Sequence, residues 1–205
     1  MEIIQLQNGL GECVLRASGT LRKGGVIIYP TDTLYGLGAD AFSDEALAKV
    51  YAIKGRDTQK PIHAVFADLT MVEEYAVLND AARKLAAEFL PGPLTMVLRK
   101  KQGVMGGIGN GETIGVRIPD NEFCLELAKS FGKPFTATSA NKAGTDPESN
   151  IQKVIEQLGR SVDLVVDGGV LPMSAPSTVV NLISSVPIIL REGAIPSELI
   201  LRLED

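Results

Sequence analysis

Tryptophan is absent from this chain of 205 residues, histidine occurs once, and cysteine occurs twice, as Cys13 and Cys124. One imidazole and two distant thiols cannot build a tetrahedral nitrogen and sulfur metal site, so catalysis by a protein-ligated metal is not expected. No Cys-x-x-Cys pair is present either, and both thiols read as plain core residues. A basic excess is also lacking. Lys plus Arg total 20 against 25 Asp plus Glu, a net charge of −5, and such a surface does not draw a polyanion by bulk charge. Apolar runs such as Val26-Ile27-Ile28-Tyr29 are a few residues long, against the roughly 20 needed to cross a bilayer, so no membrane segment is expected. Met1-Glu2-Ile3-Ile4 opens without a signal-peptide pattern, which points to a reducing intracellular compartment, the cytoplasm. No repeat, low-complexity tract or linker interrupts the chain, so one domain over residues 1–205 is expected.

What is present is ordinary globular material. Hydrophobic residues are 45% and charged residues 22%, which excludes disordered, collagen-like and coiled-coil chains. Short β-branched runs bounded by Gly, Pro or Asp predict strands at 26–29, 62–66, 95–98, 114–118, 135–138, 164–166, 178–180 and 188–190. Helical patterns follow the N-cap candidates Ser43, Asn79, Asn121 and Asn150, predicting helices over 44–53, 80–89, 122–131 and 151–158. Strands and helices interleave, but the last three strands follow one another directly. The fold class is therefore α/β (α+β), a twisted mixed parallel and antiparallel sheet flanked by helices.

Cations and small hydroxyls then mark the chemistry. Lys54-Gly55-Arg56 ends a predicted helix, where the glycine lets the chain bend; the plain alternative is charge complementing the helix dipole. Arg117 lies inside the apolar strand Gly115-Val116-Arg117-Ile118, so it requires an internal ion pair or an anionic ligand. Thr136-Ala137-Thr138-Ser139-Ala140-Asn141 places hydroxyl and amide groups at a strand end, where open sheets bind ligands, although Ser and Asn also cap turns. Pro30 to Gly38 repeats this pattern, but its glycines do not match a dinucleotide fingerprint. His63, the lone imidazole, shares a strand face with Val65, and a hydrogen-bonded, half-buried histidine is its plain reading. Gly106-Gly107-Ile108-Gly109-Asn110-Gly111 lacks the Gly-Lys-Ser/Thr ending of a P-loop and reads as a surface loop. Asp32 has no neighbouring second carboxylate, so a glycosidase pair finds no support.

In order along the chain stand Tyr-Pro-Thr-Asp-Thr-Leu-Tyr-Gly-Leu-Gly from Tyr29, Lys-Gly-Arg from Lys54, Lys-Pro-Ile-His from Lys60, Pro-Gly-Pro-Leu-Thr from Pro91, Gly-Val-Arg-Ile-Pro from Gly115, Thr-Ser-Ala-Asn from Thr138, Ser-Thr-Val-Val from Ser177 and Arg-Glu-Gly from Arg191. This series resembles the YrdC-like family of threonylcarbamoyl-AMP synthases from about Gly24 to Gly193. The resemblance implies a YrdC-like fold with a concave basic cleft and an enzyme that joins L-threonine, bicarbonate and ATP, releasing pyrophosphate. A tRNA-modifying transferase complex would use the product on the adenosine beside the anticodon. No tightly bound cofactor is implied; ATP enters as substrate, with Mg2+ held largely by its phosphates and water.

The resemblance further assigns Lys54, Thr58, Thr113, Ser139, Asn141 and Arg191 to the nucleotide, and Thr31, His63, Arg117 and Ser177 to threonine. Lys54, Arg56 and His63 would be nearest the chemistry. Lys54 and Arg191 are expected to serve a ligand and not the core, so alanine at either should leave folding near normal. Two departures stand out: Asp32 where the family more often has Glu, and Asn181 where an acid is common. A divergent branch has lost the Lys-x-Arg and Ser-x-Asn signatures, whereas this chain keeps both. The extra C-terminal domain of longer members is expected to be absent. An RNA-binding module on the same concave surface, for double-stranded RNA or tRNA and rRNA, is the competing reading; it predicts tight binding with a steep salt dependence, and the acidic balance and scarce aromatics weigh against it. Weak RNA binding by the synthase itself is a separate expectation. A carbamoyl-phosphate-using module of the type fused into hydrogenase maturation proteins is disfavoured by length.

Overall fold

In the computed structural model, five helices begin where a side-chain oxygen catches a free N–H: Asp68 accepts from Met71 N at 2.8 Å at the start of α3 (Leu69–Tyr75), and four more follow the same rule. Ser43 accepts from Ala46 N at 3.2 Å to start α2 (Asp44–Lys54), and Asn79 accepts from Ala82 N at 2.8 Å to start α4 (Asp80–Phe89). Asn121 does the same for α5 (Glu122–Phe131) and Asn150 for α6 (Ile151–Leu158). These last four coincide with the predicted helices. Three helices are unpredicted: α1 (Leu10–Arg22), α3 and α7 (Ser197–Leu201). The structure describes residues 1–104, 107–109, 111–159, 161–172 and 174–202. Gly106 and Asn110 of the glycine-rich stretch lie outside these.

All eight predicted strands are present: β2 (Ile27–Tyr29), β4 (His63–Val65), β6 (Leu94–Lys100), β7 (Thr113–Arg117), β8 (Phe135–Ser139), β9 (Leu164–Asp167), β10 (Thr178–Asn181) and β11 (Ile188–Arg191). Unpredicted are β1 (Glu2–Gln5), β3 (Gly36–Gly38) and β5 (Ala76–Val77). The sheet runs β1-β9-β2-β3-β8-β4-β7-β6-β10-β11, with β5 added to β6. Its directions are mixed: β1 and β2 lie parallel to β9, β4 parallel to β7 and β6 parallel to β10, while the other neighbours are antiparallel.

Alternation along the strands feeds two apolar layers. On one face Ile28, Leu37, Ala64, Met96, Val116 and Val165 meet α2, α4 and α6. The other face carries Ile27, Val65, Phe135, Leu164 and Val166 against α1 and α5. That second layer does not extend over the whole sheet. Across β4, β7 and β6 the row Val65, Arg117, Thr95 continues its face, and the next row places His63 beside Gly115. There the sheet carries polar side chains, and a cleft opens.

Candidate functional site

The cleft has a volume of about 330 Å³, the scale of a small-molecule site. Gly36 and Ala137 leave its floor shallow, because neither fills the space above the sheet. Gly36 is required there: a Cβ would meet Tyr29 Cζ at 2.5 Å, since the Tyr29 ring crosses β3 to donate from its hydroxyl to Thr136 O at 2.9 Å. Thus β2 is bulky where β3 is bare.

Seven of the eleven predicted site residues line this one cleft: Thr31, Arg56, His63, Arg117, Ser139, Ser177 and Arg191. Of its sequence alternatives Arg117 shows the internal ion pair. Its Nη2 donates to Asp32 Oδ1 at 2.5 Å and Thr33 Oγ1 at 2.6 Å, while the side chain also faces the cleft. Its Nε is sealed and has no partner. Thr31 is committed locally: its hydroxyl accepts from Thr33 N and Leu34 N and donates to Leu34 O at 2.7 Å, which shapes the 30–35 turn. At the far wall Arg191 donates to Ser177 O at 2.7 Å, and the Ser177 hydroxyl stands 2.8 Å from Thr95 Oγ1. Burial, with Arg117 and Arg56 nearby, pulls the Arg191 guanidinium below its ordinary pKa. Three guanidinium groups therefore share one hollow of an acidic protein.

Lys54 corrects an expectation. It is 3% exposed, and its ammonium donates to Ser139 O, to Asn141 O at 2.9 Å and to Asn141 Oδ1 at 3.3 Å, which uses all three of its N–H groups. It belongs to the core beneath the loop and does not line the cleft. Burial, then Arg56, lowers its pKa to about 8, and three oxygen acceptors suit the charged form at neutral pH. Asn141 stands behind Ser139 in the same arrangement, its amide donating to Thr145 O at 2.6 Å. The structure brings neither Thr58 nor Thr113 to the cleft. Thr58 is exposed in the segment after α2. Thr113 begins β7, four residues from Arg117 and hence roughly 13 Å along the strand.

His63 departs from its plain reading, because its Nδ1 is sealed from solvent without any hydrogen-bond partner. Burial first, then Arg191, Arg56 and Arg117, press its pKa down to about 4. Sequence reasoning missed Tyr29, Thr33 and Thr95 as site residues. Thr95 carried a readable signal, a hydroxyl inside the apolar strand Leu94–Lys100; the contact of Thr33 with Arg117 crosses 84 positions and carried none. Cys13 and Cys124 are both buried and unpaired, as expected.

A mixed sheet flanked by helices, with a guanidinium-lined cleft, defines a class of α/β proteins. Within that class the chain belongs to the Sua5/YciO/YrdC family: residues 19–193 match the family model Sua5_yciO_yrdC, described as "Telomere recombination". A putative threonylcarbamoyl-AMP synthase of Methanocaldococcus jannaschii is 38% identical over 88% of this chain and 85% of that protein. The crystal structure of Pyrococcus abyssi Sua5 complexed with L-threonine superposes with a TM-score of 0.90 at 32% identity, covering 98% of this chain and 60% of that one. Escherichia coli YciO superposes at 0.85 and 29% identity over 95% and 96% of the two chains. Relatives thus include chains of similar length and longer ones. No helix among the described residues is long and apolar enough to cross a membrane.

Proposed function

We propose that this chain is an L-threonylcarbamoyladenylate synthase, a nucleotidyltransferase that converts L-threonine, bicarbonate and ATP into threonylcarbamoyl-AMP and pyrophosphate. The observation that carries this reading is the convergence of Arg56, Arg117, Arg191, Ser139 and Ser177 on one cleft. Relatives named threonylcarbamoyl-AMP synthase and the L-threonine complex of P. abyssi Sua5 support ATP and L-threonine as substrates, and bicarbonate is part of the proposal.

The chemistry asks little covalent work of the protein. A carbamate oxygen attacks the α-phosphorus, the bond to the β-phosphate breaks, and charge spreads over the phosphate oxygens, so fixed cations and positioning lower the barrier. Arg117, oriented by Asp32 and Thr33 through Nη2, offers Nη1 to the threonine carboxylate. Arg191 and Arg56 face the triphosphate, and Lys54 acts through the Ser139–Asn141 loop that it holds. No carboxylate lines the cleft among the described residues, so Mg2+ would travel on the ATP phosphates with water completing its shell. The product would pass to a transferase complex that modifies tRNA.

The test is release of pyrophosphate by the purified protein. It should require ATP, threonine and bicarbonate together; release that ignores threonine refutes the proposal.

A further inference from the structure

Gly115 and His63 are neighbours on β7 and β4, and the glycine holds the imidazole in one setting. A Cβ on Gly115 would fall 1.8 Å from His63 Nδ1 and 2.7 Å from Cγ, so the ring edge bearing Nδ1 lies flat on the bare backbone of β7. Nδ1 is there sealed from solvent and bonded to nothing. Nε2 has no hydrogen bond to the described protein and belongs to a side chain that lines the cleft.

We infer that His63 serves this cleft as a neutral hydrogen-bond donor, presenting Nε2–H to an anionic substrate oxygen, and that it takes up no proton during turnover. A general base accepting at Nε2 would become imidazolium, with hydrogens on both nitrogens. Its Nδ1–H would then be a buried donor without an acceptor, desolvated with no hydrogen bond in exchange. The neutral form protonated at Nδ1 leaves the same orphan. The remaining tautomer turns only a lone pair toward Gly115, where the Cα–H groups are the weak donors available. The charged groups around the ring point the same way. Arg191 on β11, Arg117 on β7 and Arg56 beyond α2 all oppose a cation, while the carboxylate of Asp32 is taken up by Arg117.

This inference deepens the proposed synthase and rests on it for the identity of the substrate oxygen. The proton balance does not require the histidine. Threonine ammonium and bicarbonate give the carbamate, one water and one proton, and that proton leaves through water. The carbamate oxygen then bonds to the α-phosphorus as the bond to pyrophosphate breaks.

Because the chain holds a single histidine, nitrogen-15 labelling of histidine reports this ring alone. The one-bond and long-range proton–nitrogen spectrum of the free protein at pH 7 should show Nε2 protonated and Nδ1 bare. A proton on Nδ1 overturns the inference. Kinetics separate the roles: His63→Gln keeps a donor near the Nε2 position, His63→Glu keeps only an acceptor, and His63→Leu keeps neither. Loss of a general base costs on the order of 10²–10⁴-fold, so kcat/KM falling by less than about tenfold in His63→Gln, with larger and similar losses in His63→Glu and His63→Leu, is the expected pattern. Recovery of activity in His63→Glu above His63→Leu would show a base and sink the proposal. Absence of threonine-dependent pyrophosphate in the wild type would remove the synthase reading, while the tautomer, read without substrate, still stands or falls on its own.

Discussion

Lys54 Nζ lies 2.9 Å from the carbonyl oxygen of Asn141, two residues beyond the end of β8, so a residue placed by motif on the substrate side is a fastener of the segment whose Ser139 lines the cleft. Replacing it with alanine leaves the buried Asn141 carbonyl without its ammonium donor, whereas Ser139 O keeps Asn141 N and Asn141 Oδ1 keeps the Ser139 hydroxyl. Such a loss costs about 1–3 kcal/mol, and at this chain length each kcal/mol moves Tm by roughly 2–4 °C. Lys54→Ala should therefore melt several degrees lower and bind ATP more weakly. A variant melting with the wild type would show that the ammonium holds nothing.

Arg191 should behave in the opposite way. It stands on the edge strand β11, and its partners are the carbonyl and hydroxyl of Ser177. Arg191→Ala should change stability by less than about 1 kcal/mol, as exposed substitutions do, while the KM for ATP rises at least about tenfold. Scanning calorimetry and steady-state kinetics on the same preparation separate the two effects.

The Asp32 carboxylate and the Arg117 guanidinium are only 10% and 12% exposed, so their ion pair is a buried one. Removing one partner of such a pair strands the other charge at a cost of about 3–5 kcal/mol. Asp32→Ala should be strongly destabilised and should lose threonine-dependent turnover. Denaturant midpoints near those of the wild type would contradict this.

Stability should also depend on pH through His63. Its native pKa is near 4 against 6.5 for an ordinary imidazole, so the unfolded chain binds the proton first as acid is added. The contribution is complete above pH 6.5, declines as pH falls toward 4, and amounts to on the order of 3 kcal/mol. Urea unfolding of wild type and His63→Gln between these limits should give a difference that shrinks on acidification. A difference constant with pH leaves the histidine without this role.

Gly115→Ala should displace the imidazole, lowering both stability and activity. Part of the stability cost should vanish when His63→Ala is added, because the clash is then gone. Strict additivity in that double-mutant cycle would refute the packing relationship.

Local signals made much of this legible. Four of the five capped helices and eight strands could be read because each cap oxygen and each β-branched run acts within a few residues of itself; α3, capped by Asp68, was missed although its signal is equally local. Elements owed to distant packing could not be read. Helix α1 starts at Gly9 with no side-chain cap and contains Gly11 and Gly19, so its propensity is poor; it forms against α5. Strand β3 reads as a loop because two of its three residues are glycine, yet those glycines make way for the Tyr29 ring.

The amino-acid sequence by itself determined the family, the mixed α/β class and seven of the residues that meet at the cleft, since ordered motifs need no coordinates. Only the tertiary structure decided what each does. Register set His63 over Gly115 and joined Arg117 to Asp32 across the sheet, and burial turned Lys54 inward to three oxygens. The physical reason is that a polar group's role follows from the partners and solvent around it, and those come from strands far apart in the chain.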